Sequence, residues 1–133
     1  MGGKHTIAGV SADTPLRDAV PRILLAKAEP LFALATHAVD GLDADAVHDM
    51  RVASRRLREA MRLFQDVCAA RSFKVWYRRV RRVTRALGPV RDADVFIDAL
   101  AGLLPALDAA EARAAAFLIG HRYGLRECAS ARL

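Results

Sequence analysis

Asparagine is absent from this chain of 133 residues, and glutamine occurs once, as Gln65. That leaves few of the amide side chains suited to reading base edges. Cysteine is scarce too. Cys68 and Cys128 form no metal-type spacing and fit two reduced thiols in a cytosolic protein. No Gly-rich phosphate loop, nucleophile–base pair or metal-ligand pattern is present, so no enzyme activity and no cofactor is expected. No apolar run approaches the roughly twenty residues that span a bilayer. The opening MGGKHTIAGVSADTP has no apolar core of a signal peptide, so neither export nor a membrane partner is expected. β-Branched residues are sparse outside valine, and nothing in the sequence reads as a strand.

What the chain does have is alanine, leucine and arginine, and a hydrophobic fraction of 53%, enough to fill a core. Residues 1–13 are expected as a flexible lead-in, and 14–133 as one helical domain. A first helix opens at Thr14-Pro15 or Ala19-Val20-Pro21 and runs to about Ala38, with Pro30 kinking or breaking it and Gly41 beyond its end. Asp43 or Asp45 caps a second helix. Its seam is Val47, Met50, Ser54, Leu57, Met61, Phe64 and Cys68, a repeat of three and four residues that ends near Cys68 to Ala70. Ser72 caps a third helix with the seam Phe73, Trp76, Val80, Val83 and Leu87, stopped by Gly88-Pro89. A fourth starts near Arg91 to Asp94, with Asp92 and Asp94 as its caps, and breaks at Pro105. An alanine-rich fifth runs from Asp108 to about Arg122. Short connections between amphipathic helices predict an all-α, antiparallel helical bundle.

The charge is concentrated. From Arg51 to Arg91 there are thirteen Arg or Lys and two acids, Glu59 and Asp66, whereas the whole chain carries only +6. On the second helix His48, Arg51, Arg55, Arg58 and Arg62 repeat the apolar seam displaced by one residue, about 100° round the helix. On the third, Lys74, Arg78, Arg81 and Arg85 form a similar stripe, flanked by Arg79 and Arg82. Packed antiparallel, the two stripes line one basic surface groove, and Arg91 closes an end of it. Guanidinium keeps its charge and meets phosphate oxygens in pairs, so crowding it in this way points to a polyanionic partner. Histidine adds a donor, and a charge below a pH of about 6.5. The cluster Asp43, Asp45, His48 and Asp49 reads as acids at a helix N-terminus rather than as a metal site.

Two segments, VHDMRVASRRLREAMRLF (Val47 to Phe64) and RALGPVRDADV (Arg85 to Val95), lie in the order and at the separation found in the CHAD family, the conserved histidine α-helical domain, which the chain resembles. The first is similar to that family's histidine–arginine helix, the second to its Leu-Gly-x-x-Arg-Asp-x-Asp-Val turn. ILLAKAEPLFALATHAVDGLDADA is similar to its first helix, so the resemblance covers about residues 16–104. It implies a helical domain that binds inorganic polyphosphate, with His48, Arg51, Arg55, Arg58, Arg81, Arg85 and Arg91 as ligands. Arg62, Lys74 and Arg78 join this set on helical geometry. Arg56 belongs to the motif but faces away from the stripe. The family's domain has two similar bundles, whereas this chain has room for one, and the tail HRYGLRECASARL carries no family motif. A half-domain would expose apolar surface, so either a homodimer that rebuilds the pair or poor solubility is expected.

Polyphosphate binding without turnover is therefore expected, because hydrolysis would call for metal-holding carboxylates that the groove lacks. The expected location is the cytoplasm, with polyphosphate granules as the candidate site. Two alternatives stay open: nonspecific binding of nucleic acid, and a structural role at granules. Single-strand binders stack bases on aromatics, whereas Phe73 and Trp76 are expected on the buried seam, with only Tyr77 near the basic side.

Overall fold

The computed structural model describes residues 6–37 and 43–132, and no strand occurs among them. Gly41 lies outside the described residues. The helices are α1 (Leu16–His37), α2 (Ala44–Leu63), α3 (Ala70–Leu103) and α4 (Ala109–Ser130), with a 3-10 turn at Leu104–Ala106 between the last two. Each helix packs on the next in the chain: α1 on α2, α2 on α3, and α3 on α4. The fold is an all-α helical bundle.

Proline does not break these helices as expected. Pro21 and Pro30 lie inside α1, and Pro89 lies inside α3. All three are exposed, so water can satisfy the carbonyls that they leave unpaired. The Gly88-Pro89 stop is therefore overturned, and the expected third and fourth helices are one, about 51 Å long at about 1.5 Å per residue. Two features carry the helix through. Gly88 has no β-carbon to clash with the proline ring. On either side of the pair, Leu87 and Val90 are fully buried, so core packing fixes the backbone there.

Caps and ends also shift. Asp43 caps α2, its carboxylate accepting from the Ala46 N–H at 2.6 Å. That helix stops at Leu63, earlier than the seam predicts, because Phe64 and Cys68 are only half-buried and no packing holds a further turn. Ser72 is not a cap. The helix begins at Ala70, with Ala69 at the cap position and no side-chain bond. Asp108 and Glu111 form a reciprocal capping box on α4, which runs on past Arg122 to Ser130.

The main core gathers Leu31 from α1, Val47, Met50, Ala53, Leu57 and Met61 from α2, and Val80, Leu87 and Val90 from α3. Within it Thr84 donates to Ser54 Oγ at 3.0 Å, and Ser54 donates to the Arg51 carbonyl at 3.0 Å. Asp94 caps nothing, since no helix begins near it. It is buried in mid-α3 and paired with Arg126 of α4, while Arg122 lies over the Phe96 ring at 4.6 Å. These two contacts help to seat α4 on α3, beside the packing of its buried residue Ala115 and of Ala129 against the core.

Removing one partner of a buried ion pair strands the other charge. Arg126→Met is expected to destabilise the fold by about 3 kcal/mol in urea unfolding, and adding Asp94→Leu should recover most of that loss. A double variant no more stable than the single would show that the pair does not behave as a unit.

Candidate functional site: a basic flank on α2 and α3

The register of α2 on α3 builds the site. Ser54 meets Thr84, and Arg51 Nη1 reaches the Thr84 carbonyl at 3.5 Å. Ser54 meets Thr84 while Arg51, three residues earlier, lies beside Gly88, four residues later, so the pair is antiparallel. Reversing a helix reverses the sense in which its numbering winds about the contact line. Residues one place after the seam on both helices therefore share one side of the interface.

On α2 the buried positions Val47, Met50, Ser54, Leu57 and Met61 are each followed by a basic residue: His48, Arg51, Arg55, Arg58 and Arg62. On α3 Phe73, Tyr77, Val80, Thr84, Leu87 and Val90 are packed into the core, with Val83 beside Thr84. Lys74, Arg78, Arg81 and Arg85 follow the first four, Gly88 follows Leu87, and Arg91 follows Val90. All ten expected residues thus sit on the same flank of the α2–α3 pair. One contact fixes this directly, because the place a β-carbon would take on Gly88 is 3.5 Å from Arg51 Nη1. His48, Arg55, Arg62, Lys74, Arg78, Arg81 and Arg85 are exposed, whereas Arg51, Arg58 and Arg91 are half-buried.

The aromatic residues depart from expectation. Trp76 is not on the seam and is 51% exposed. Tyr77 takes the inner position, packed against the core and stacked on Phe73 with ring centroids 5.4 Å apart. The three-and-four repeat allowed either residue, and the indole is displaced to the side of α3 opposite the basic flank. Arg79 goes with it, its guanidinium 5.0 Å from the Trp76 ring centre. Arg79 is therefore turned away from the stripe that it was expected to border. No aromatic residue occupies a stripe position, so the flank offers bases nothing to stack on.

Sequence reasoning also missed two contributors. Gly88 leaves room beside the Arg51 guanidinium, and its place one residue after Leu87 was the available signal. Glu59 lies 3.5 Å from Arg58 and 3.8 Å from Arg62, so one end of the stripe has a carboxylate of its own. Among the described residues, no group of three or more His, Cys, Asp or Glu is placed to hold a metal ion.

A family model for the CHAD domain matches residues 22–133, and the chain belongs to that family. The match runs through the tail HRYGLRECASARL, which the motifs alone had left unassigned. Residues 121–130 of that tail form the second half of α4, tied into the bundle by Arg126 rather than by any family motif. No curated protein and no solved structure matches the chain.

Glu59 competes with any anion for Arg58 and Arg62, though exposed pairs of this kind are weak. Glu59→Gln is expected to move elution from a phosphocellulose column to higher salt. Unchanged elution would mean that Arg58 and Arg62 do not touch the anion.

Proposed function

We propose that the protein binds inorganic polyphosphate along the flank formed by His48, Arg51, Arg55, Arg58, Arg62, Lys74, Arg78, Arg81, Arg85 and Arg91, without turning it over. The observation that carries this reading is the antiparallel register of α2 and α3, which gathers ten basic side chains onto one side. Membership of the CHAD family supports it, since that domain is associated with polyphosphate. A polyphosphate chain presents charge at regular intervals, and neutralising it releases its counterions. Arginine-rich walls suit such a ligand because the guanidinium fork meets two phosphate oxygens at once. The two acids in the charged stretch cannot assemble the metal site that phosphate hydrolysis would require, which favours binding over turnover.

The same reading assigns the protein to the cytoplasm and to phosphate granules. Among the described residues no helix is long and apolar enough to cross a membrane.

Arg55→Glu and Arg81→Glu, one on each wall, are each expected to weaken polyphosphate binding by about tenfold or more and to flatten its salt dependence. Arg113→Glu, on α4, should change little. Equal losses from all three would overturn the groove. Long-chain polyphosphate should also outcompete length-matched single-stranded and duplex DNA at physiological salt. DNA binding as tightly would make the flank a general polyanion surface.

The reading extends to a homodimer through the outer side of α4, where Phe117 is 75% exposed and Leu118 and Leu125 are nearly half exposed. Light scattering should give twice the chain mass, and Phe117→Glu should halve it. A wild-type monomer would remove the dimer and leave the basic flank untouched.

A further inference from the structure

The side of α3 opposite the basic flank holds a different feature. Between α1 and α3, floored by the end of α2, lies a pocket of about 480 Å³. That is within the range of small-molecule sites, about 300–1,000 Å³. Its walls are almost wholly apolar: Leu25 and Phe32 from α1, Met61 from α2, and Trp76 and Val80 from α3. It is open to water, with Leu25 64%, Phe32 60% and Trp76 51% exposed. On α3 it runs from Ser72 to Val83, about 16 Å at about 1.5 Å per residue, so it is a trough rather than a round cavity.

One charged side chain, Arg79, is among the described residues that line this trough. Its guanidinium rests on Trp76, and among the described residues no carboxylate pairs with it. An elongated apolar trough with a single cation at its rim complements a ligand with one hydrocarbon chain and one negative head. The geometry points to a free fatty acid as the occupant: its acyl chain lies against Leu25, Phe32 and Met61, and Arg79 takes its carboxylate in a paired hydrogen bond. A polyanion does not fit, because the walls would strip its remaining charges of water with nothing to pair them. A cationic amphiphile meets the wrong charge. The site is independent of the polyphosphate flank, which uses the other side of α3.

Trp76 is the chain's one tryptophan, so its emission reports this pocket alone. The full chain is titrated with dodecanoate, dodecanol and dodecyltrimethylammonium, each below its micelle concentration. Dodecanoate should shift the emission to the blue with saturation, and bind about tenfold more tightly than the alcohol or the cation. Arg79→Gln should erase the preference for the carboxylate while leaving dodecanol binding unchanged. Phe32→Gln, at an exposed position that the fold does not depend on, should weaken all three by about tenfold. No saturable shift, or equal affinity for the anion and the cation, overturns the proposal. So does emission that shifts with protein concentration alone and is not displaced by dodecanoate, which would assign the trough to a second copy of the chain.

Discussion

The antiparallel seat of α2 on α3 is the constraint from which the rest follows. Two hydroxyls, Ser54 and Thr84, meet at its centre in a buried hydrogen bond, and valine, leucine and methionine extend the contact on both sides. A slip of one residue along either helix would unpair those hydroxyls and turn every basic stripe residue about 100° away from its counterpart. The polar pair at the centre therefore defines register, while the apolar residues supply most of the stabilisation. Because stripe and seam are offset by the same single residue on both helices, burying one necessarily presents the other.

A chain that crowds arginine onto one flank must stabilise that face with few acids of its own. The repulsion is tolerated because the side chains lie in water, where charges several ångströms apart interact weakly and salt screens them. Two of the three half-buried stripe arginines have a local partner: Arg51 reaches the Thr84 carbonyl, and Arg58 reaches Glu59. Arg126 takes the buried carboxylate of Asp94. Of the remaining stripe residues Arg91 is half-buried, and the others are exposed.

The sequence made some of this legible. Periodicity located α2 and its stripe, because a repeat of three and four residues marks one face of a helix whatever its neighbours, and the break at Pro105 followed by Asp108 showed where α4 begins. It could not choose between Trp76 and Tyr77 on α3, since both positions satisfy the repeat, and the choice depends on which neighbour covers which side. Local rules failed at Pro30 and Pro89, where tertiary packing held the helix together past a residue that would end an isolated one. The role of Asp94 was also hidden, because its partner lies thirty-two residues away on a helix with little pattern of its own. The two basic stripes needed no such long-range knowledge, being written in the spacing of arginine alone.

The serial order of packing has a consequence for how the molecule comes into being. Each helix docks on the one made just before it, so most tertiary contacts join segments adjacent in the chain. Loop closure is cheap for such neighbours, and topologies of this kind fold rapidly. During synthesis α2 can settle on α1, and α3 on α2, while the chain is still growing. The arginine-rich surface is then assembled before α4 has left the ribosome, itself a polyanion of RNA.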